Sequence, residues 1–480
     1  MGAPHFLASD FDFELPPELI AQQPAPARDQ SRLLVLTEHG VAHHVFAELP
    51  ELLARTAGAG ALLVLNDTRV LPARLRARKL HGPASSAAGA PGQLGGQVEL
   101  LLCEPLPPAA PAGMPAAPRW RCMYRASKPL RAGSWLQLLL PATSAGAEDP
   151  RPTRAAPPES AGAAAPEPAG AAPPASAGAA PPASAGAAPP AGAADRADGG
   201  SADRAARAAG TAQVLVNEGG GYVVVEFAVA SDDELLALLG RIGEVPLPPY
   251  IQREPAADPG SARAAADRER YQTVFARVPG SVAAPTAGLH FTPQVLAALR
   301  ARGLESAEVT LHVGPGTFLP MRTDDPREHL MHSERYHIPA ATAAAIARAK
   351  AAGRPVIAVG TTVVRTLESA TPPGESVPRP GTGTTELFIY PRGPGQPQHR
   401  FQVVDALLTN FHLPRSTLLM LVAAFAGRRR ILAAYAEAVT QRYRFFSFGD
   451  AMLIPSRLPD PECQPQPAPA APTTPPGGPR

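Results

Sequence analysis

Two short runs concentrate the residues best suited to chemistry. Ser281-Val-Ala-Ala-Pro-Thr-Ala-Gly-Leu-His-Phe-Thr292 and, further on, Leu311-His-Val-Gly-Pro-Gly-Thr-Phe-Leu-Pro320 each set a histidine and a threonine among turn-forming Gly and Pro, beside short apolar segments. Glycine lets a backbone come close to a ligand, and proline pre-sets the path of a loop. A hydrophobic core gains nothing from spending such residues on polar loops, whereas loops on a rigid scaffold are where function collects. His290 and His312 can exchange a proton near neutral pH, which suits general acid–base work. A histidine taken alone is more often a hydrogen-bonded structural residue; the occurrence of two in such loops brings the catalytic reading level with the structural one. Thr286, Gly288, Gly314 and Thr317 in the same runs are candidate substrate contacts.

A third run, Pro355-Val-Ile-Ala-Val-Gly-Thr-Thr-Val-Val-Arg-Thr-Leu-Glu368, reads as a strand, a Gly-Thr-Thr turn and a helix. Free backbone N–H groups at that helix start, with Thr361 or Thr362 as the cap, make a site for an anion or polar ligand, and Arg365 falls about one turn in. A plain capped helix with a surface arginine is the equal alternative. The run is neither a Walker loop nor a GxGxxG fingerprint, so it supports neither an NTPase nor a Rossmann dinucleotide or methyltransferase site. A fourth run ends a strand in polar residues, Asn410, His412, Arg415 and Ser416, with Asp405 just upstream. Arg444-Phe-Phe-Ser-Phe-Gly-Asp450 offers phenylalanines either to the core, as we expect for at least two of the three, or as a platform for a nucleobase. His332 and His337 form a second histidine cluster, of undecided element and without implied metal-ligand geometry.

The elements that must position these residues follow from period and punctuation. Ala61–Leu65 is a continuous apolar run, hence a buried strand, leading into Asn66-Asp-Thr-Arg69. In the next run Arg74, Arg76 and Arg78 alternate, so on a strand all three project from one face. With Arg69 they are the candidate nucleic-acid contacts, although a solvated strand face explains the ridge at least as well. Short strands at 97–102, 120–124, 134–140, 212–216 and 221–227 predict an antiparallel barrel or sandwich. Beyond Asp232, helices at 234–239, 292–302, 341–352 and 430–442 alternate with strands at 306–313, 356–360, 385–390 and 403–409. The predicted fold class is α/β (mixed α+β): a larger α/β domain with a mixed sheet, formed by residues 1–70 and 232–456, and an inserted antiparallel β-barrel-like domain at 71–231.

Composition divides the 480 residues unevenly. The segment 141–212 is nearly all Ala, Pro, Gly and Ser, with a tandem repeat at Pro173–Ala180 and Pro181–Ala188. It has almost no large apolar side chain to offset ordering entropy, so it is expected to be disordered, as is the tail 457–480. A net charge of +2 excludes a histone-like polycation and leaves local basic patches open. The 3 cysteines lack any CxxC or Cys/His cluster, so neither a disulfide framework nor a metal site is expected. The N-terminus shows no signal-peptide pattern and no apolar run is long enough to span a bilayer, giving the expectation of a cytoplasmic protein without membrane contact.

Taken together the runs resemble the S-adenosylmethionine:tRNA ribosyltransferase-isomerase family of queuosine biosynthesis. The resemblance is carried by Phe11-Asp-Phe-Glu-Leu-Pro with Ile20-Ala-Gln22 and Ser31-Arg-Leu33; Leu65-Asn-Asp-Thr-Arg-Val70; Gly243-Glu-Val-Pro-Leu-Pro-Pro-Tyr-Ile251; Tyr271-Gln-Thr-Val-Phe275; Ala284 to Thr292; His312 to Phe318; His332-Ser-Glu334; Gly360 to Glu368; Asp405 to Ser416; and Phe446-Ser-Phe-Gly-Asp-Ala-Met452. The resemblance extends over nearly all of the chain outside the Pro/Ala-rich segments, with the runs in the expected order. The resemblance implies an α/β domain with an inserted β-barrel-like domain. It implies transfer and isomerisation of the ribosyl group of S-adenosylmethionine onto 7-aminomethyl-7-deazaguanine at the tRNA wobble position, giving epoxyqueuosine with release of adenine and methionine. It implies no cofactor beyond the consumed S-adenosylmethionine; the partners are that compound and tRNA, and a monomer is expected. The chemistry needs a base at the ribose 5′ carbon and a proton donor for the leaving adenine. His290, His312 and Asp405 are the catalytic candidates. Thr361, Thr362 and Arg365 would hold ribose, carboxylate or phosphate, and Asn410 and His412, with Asp405, would orient a base. An RNA methyltransferase and a binding-only tRNA protein are the competing readings; the first lacks its Gly-rich loop, and the second has no need of both loop histidines together with the Gly-Thr-Thr run.

Overall fold

The computed structural model describes residues 5–58, 60–81, 93–107, 117–140, 208–253, 261–318, 321 and 323–458. From the N-terminus the chain forms β1 (Arg32–Thr37), β2 (Gly40–Val45), α1 (Leu49–Thr56), β3 (Leu62–Asn66) and β4 (Thr68–Val70). Then come β5 (Arg74–His81), β6 (Gln93–Leu106), β7 (Arg119–Ala126), β8 (Trp135–Leu139), β9 (Ala208–Gly219) and β10 (Tyr222–Phe227). The remainder comprises α2 (Asp232–Ile242), α3 (Ala262–Arg270), β11 (Val278–Ser281), α4 (Pro293–Ala301), β12 (Glu305–Leu311), β13 (Glu334–Ile338), α5 (Ala340–Ala351), β14 (Val356–Val359), α6 (Thr361–Ala370), β15 (Gly381–Thr385), β16 (Ala406–Asn410), α7 (Thr417–Ala426), α8 (Arg428–Thr440) and β17 (Ala451–Ile454).

A mixed sheet of 9 strands, in the order β15-β13-β12-β3-β14-β16-β17-β1-β2, carries the site. Its centre, β12, β3, β14 and β16, is parallel. Parallel strands are covered on both faces, and β3, β14 and β16 accordingly read as unbroken buried runs. Alternation along each strand divides the residues between two cores. Leu62, Val64, Val356, Ala358 and Leu407 face the core packed by α5 to α8, whereas Leu63, Leu65, Ile357, Val359 and Leu408 face the core packed by α1 and α4. A residue shift in any strand would exchange these faces, so the register is strongly specified.

The strands β5 to β10 close into an antiparallel barrel in the order β10-β7-β6-β5-β8-β9. Leu75, Ala77, Leu100, Leu136, Val214 and Val225 point inward, and Leu235, Leu238 and Leu239 of α2 pack against the same core. Ser231 caps α2 by accepting from the Glu234 N–H, and three acidic residues fill its first turn, matching the helix dipole. Arg74 and Arg76 lie outside the barrel, where the alternation predicts.

Three expectations are corrected. The strand expected at 385–390 is instead β15, ending at Thr385: that side chain accepts from the Leu387 N–H and turns the chain out of the ladder. Residues 208–212, assigned by composition to the disordered segment, belong to β9, where Ala212 is buried in the barrel core. Arg457 and Leu458, assigned to the tail, are packed, Arg457 donating to the Phe401 carbonyl at 2.7 Å and Leu458 2% exposed. The rest of the expected disorder, 141–207 and 459–480, lies outside the described residues.

Candidate active site

The C-terminal ends of parallel strands leave side chains and free backbone groups at one rim of the sheet, where α/β proteins bind ligands. Here the chain leaving β12 and β14 and the last residue of β16 converge on a cavity of about 690 Å³, open mouth included. Its walls include Tyr250, Thr286, Thr361, Asn410, His412 and Phe446. Ser281 of β11 splices the two Gly/Pro-rich runs: its hydroxyl donates to the Ala283 carbonyl at 2.7 Å and accepts from the Val313 N–H at 2.9 Å.

The start of α6 opens onto this cavity, through Gly360, Thr361 and Thr362. Gly360 is the N-cap residue, with φ 95°, a conformation that favours glycine. Neither threonine caps the helix with its side chain, and no acidic residue lies in the first turn. The helix therefore presents uncapped N–H groups and its positive end to the cavity, an arrangement suited to a carboxylate or ribose hydroxyls.

Asn410, at the end of β16, is 2% exposed. Its Nδ2 donates to the Phe446 carbonyl and to His290 Nε2, each at 3.1 Å. His290 is itself 4% exposed and stacks on Phe46, ring centroids 5.1 Å apart. Because Nε2 accepts, Nδ1 carries the proton and donates to Ser31 Oγ at 2.6 Å, which in turn donates to the Arg28 carbonyl at 3.2 Å. Burial holds His290 down at about 4, against the opposing pull of Asp450, so it is neutral at physiological pH. Asp450, 1% exposed, braces the adjoining loop: it accepts from the backbone N–H groups of Arg32 and Arg444, at 3.0 and 2.8 Å, and from both guanidinium groups.

The other expected residues divide clearly. Thr286, Thr317, Thr361, Thr362, Asn410 and His412 line the cavity. His412 Nε2 meets Thr409 Oγ1 at 2.9 Å, and burial lowers its pKa to about 3. Gly288 packs beneath the site: a Cβ there would lie 2.8 Å from Phe275 and Thr273 side-chain carbons. Gly314 uses its N–H on Glu334 Oε1 at 3.1 Å. Arg365 is not at the cavity wall. It is 5% exposed, paired with Glu334, and its Nε donates to the Leu387 carbonyl at 3.0 Å. His312 also lies apart from His290: it stacks against Gly280, bonds Thr68 Oγ1 at 2.8 Å, and opens on a second cavity of about 870 Å³ with Arg335 and His337. Burial, reinforced by the Arg335 charge, lowers His312 to about 4. Asp405 begins the approach to β16 and is bound by Lys350 at 2.6 Å and by the Val356 N–H at 2.9 Å. It stands five residues before Asn410, about 16 Å away at the strand rise, at the opposite rim of the sheet.

A separate cleft, of about 1480 Å³, runs beside the barrel and α3 and takes in Arg74, Arg76, Arg125, Arg253, Arg263 and Arg268. Arg76 is bonded to Glu244 at 2.8 Å and Arg253 to Asp267 at 2.7 Å, while the exposed Arg125 and Arg263 have no ion-pair partner among the described residues. Arg78 bonds the Gly95 carbonyl at 3.1 Å, and Arg69 is exposed on β4; neither lines the cleft. Ser31, Glu334, Tyr250 and Asp450 were not singled out from sequence as site residues. All four fall within the runs that carry the family resemblance, which marked the segments without singling out these side chains. Among the described residues no group of three or more His, Cys, Asp or Glu is disposed to hold a metal ion, and no helix is long and apolar enough to cross a membrane.

Comparison with known proteins bears on this geometry. The pattern of the family described as "Queuosine biosynthesis protein" matches residues 8–158 and 193–454. A protein of Anaeromyxobacter sp. (strain Fw109-5) named S-adenosylmethionine:tRNA ribosyltransferase-isomerase is 45% identical over 447 residues, covering 93% of this chain and 98% of its own. One of the same name from Sorangium cellulosum (strain So ce56) is 42% identical over 460 residues, 92% of this chain and 97% of its own. A crystal structure of S-adenosylmethionine tRNA ribosyltransferase from Thermotoga maritima is 30% identical, with a TM-score of 0.40, covering 93% of this chain and 100% of that one. With the family pattern spanning both the sheet and the barrel, and relatives matched nearly end to end, the chain belongs to the queuosine biosynthesis protein family.

Proposed function

We propose that this protein is an S-adenosylmethionine:tRNA ribosyltransferase-isomerase. It moves the ribosyl group of S-adenosylmethionine onto the aminomethyl group of 7-aminomethyl-7-deazaguanine at the wobble position of a tRNA. Epoxyqueuosine-tRNA is formed, and adenine and methionine leave. The observation that carries the reading is the cavity itself: a largely apolar pocket with an uncapped helix start and a buried amide, in a chain whose near-full-length relatives bear that enzyme's name.

The chemistry assigns roles to the walls. The sulfonium acidifies the ribose 5′ carbon, so a base removes a proton there; the adenine must be hydrogen-bonded or protonated as it departs. The uncapped N–H groups of α6, with Thr361 and Thr362, suit the methionine carboxylate or the ribose hydroxyls. Of the three histidines considered, His412 is the one that lines the cavity, and it is our choice for proton exchange with the ligand. His290 and Asp450 act behind the wall as positioning residues. Arg74 and Arg76, joined by Arg125 and Arg263, are the reading we favour for tRNA phosphate contact, with Arg69 and Arg78 at its margins.

The test is turnover with S-adenosylmethionine and a tRNA carrying 7-aminomethyl-7-deazaguanine, following free adenine by chromatography and the tRNA nucleosides by mass. Adenine release with a ribosyl-derived mass gain is expected. A methyl gain, or tRNA binding without any change in either pool, would overturn the proposal. Replacing His412 with Asn is expected to lower kcat by about 10²–10⁴-fold, the usual cost of losing an acid–base group.

A further inference from the structure

We infer that the side-chain oxygen of Asn410 is the acceptor that reads the exocyclic amino group of the adenine of S-adenosylmethionine, and that His290 acts through it as a positioning residue, helping two backbone carbonyls to fix the amide's orientation. The inference rests on reading this cavity as the S-adenosylmethionine site. It begins from an unmatched atom. Asn410 Oδ1 is buried yet has no hydrogen-bond partner among the described residues, although the residue lines the cavity. Buried acceptors are nearly always satisfied, and an exception calls for a reason.

The amide is not free to turn over. Its nitrogen faces three acceptors: His290 Nε2 and the Phe446 carbonyl at 3.1 Å, and the Asp450 carbonyl at 3.5 Å. Reversing the amide would set its oxygen against the Phe446 and Asp450 carbonyls, neither of which can donate. With the amide so placed, His290 Nε2 is the acceptor, and its Nδ1 proton has a taker in Ser31 Oγ, whose own hydroxyl is free to donate to the Arg28 carbonyl. Phe446 adds a second sign of construction. It adopts φ 71°, a left-handed conformation unusual for an aromatic residue, and its carbonyl is one of the acceptors that orient the amide. Backbone strain of this kind persists where surrounding structure over-determines it, often at ligand sites. The rings of Tyr250 and Phe446, with centroids 4.7 Å apart, line the same cavity and offer apolar surface to a planar base. A neutral acceptor matches the neutral amino group of adenine better than the aminomethyl group of the tRNA base, which is an ammonium in water and calls for a carboxylate.

The experiment compares kcat/KM for S-adenosylmethionine and for S-inosylmethionine, its deaminated analogue, using the full-length protein and the modified tRNA. The analogue puts an oxygen where the amino group was, so two acceptors would face each other. Wild type is expected to prefer the adenosyl compound by at least about 100-fold. Asn410→Leu should bring the ratio near one; His290→Leu should lower it severalfold, the Phe446 and Asp450 carbonyls still holding part of the amide's orientation, while His290→Gln, whose amide oxygen can still accept from Asn410, should restore most of it. A purely structural role would lower both values together and leave the ratio intact, so an unchanged ratio in folded Asn410→Leu or His290→Leu overturns the inference. So does a wild-type ratio near one. If wild type turns over neither compound, the ribosyl-transfer reading itself fails and this inference falls with it.

Discussion

Replacing Glu334 tests whether the buried ion pair behind the cavity is a charge problem or a tether. Glu334 and Arg365 are each 5% exposed and paired, joining β13 to α6. Glu334 Oε1 also accepts from the Gly314 N–H at 3.1 Å, tying down the loop that supplies Thr317 to the cavity. In Glu334→Gln the amide oxygen can keep the Gly314 bond, but the Arg365 cation loses its counter-charge in a dry setting. Removing one partner of a buried pair costs about 3–5 kcal/mol. In the double variant Glu334→Leu with Arg365→Met no charge is stranded, and such replacements are often close to neutral. What remains is the unmet Gly314 N–H, about 1–3 kcal/mol, and the lost bond from Arg365 Nε to the carbonyl of half-buried Leu387, about 0.5–1.5 kcal/mol. The double variant should therefore be more stable than the single one, yet its Thr317 loop should be looser and its KM for S-adenosylmethionine higher. Urea unfolding followed by circular dichroism gives the stabilities by linear extrapolation. If the double variant is no more stable than Glu334→Gln, or if Glu334→Gln costs less than about 1 kcal/mol, the reasoning about the pair is wrong.

Acidification should destabilise the fold through its buried neutral histidines. His290 and His312 are lowered to about 4 and His412 to about 3, each chiefly by burial. In the unfolded chain they titrate near about 6.5. As pH falls through that value the unfolded state takes up protons the folded state refuses, so stability drops until the folded groups protonate as well. The urea midpoint should be insensitive to these groups above about pH 7 and decline from about 6.5 toward 4; a rise over that window contradicts the assignment. Asp405→Asn should cost about 1–3 kcal/mol through its bonds to Lys350 and Val356 while leaving kcat/KM within about twofold, as measured by unfolding and turnover. A large loss of turnover in a stable variant would return Asp405 to the chemistry. Gly288→Ala should lower stability by about 1–3 kcal/mol, because the new methyl meets Phe275 and Thr273, and its unfolding midpoint is the check. Alanine at Arg125 or Arg263 should weaken tRNA binding and reduce the slope of log affinity against log salt by about one each; an unaltered slope removes that residue from the phosphate contacts.

The layout was legible from sequence wherever side-chain period does the specifying. The runs of β3 and β14 were read correctly because both faces of each are buried and so apolar throughout, and the alternating arginines of β5 because only one of its faces meets the barrel core. Element identity was also enough to place Asn410, Thr361 and Thr362 at a strand or helix end. Partnership was not legible. Asp405 and Asn410 are neighbours in sequence but occupy opposite rims, since a strand carries its ends apart. His290 was read as a proton carrier because its type permits it; only the positions of Ser31 and Asn410, far away in the chain, show both ring nitrogens already engaged. Glu334 carried no sequence signal for its pairing with Arg365, which depends on β13 lying beside β12 in the sheet. The apolar run 387–390 looked like a strand because apolar content does not reveal where a threonine turns the ladder away.

The pairing of β1 with β17 has a consequence for how the protein is born. Leu33, Leu34 and Val35 lie parallel to Ala451, Met452 and Leu453, so β1 must wait for a partner made about 400 residues after it. At about 5–20 residues per second the intervening chain takes roughly 20–80 s to make. During that interval the β1–β2 hairpin has an unsatisfied apolar edge, and Arg32 and Ser31 have no Asp450 loop or finished pocket to join. Contacts this distant along the chain form slowly even in free solution. The nascent chain is therefore expected to hold its barrel before its ligand pocket, to depend on factors that shield an open sheet edge, and to acquire activity only once β17 has been made and has paired with β1.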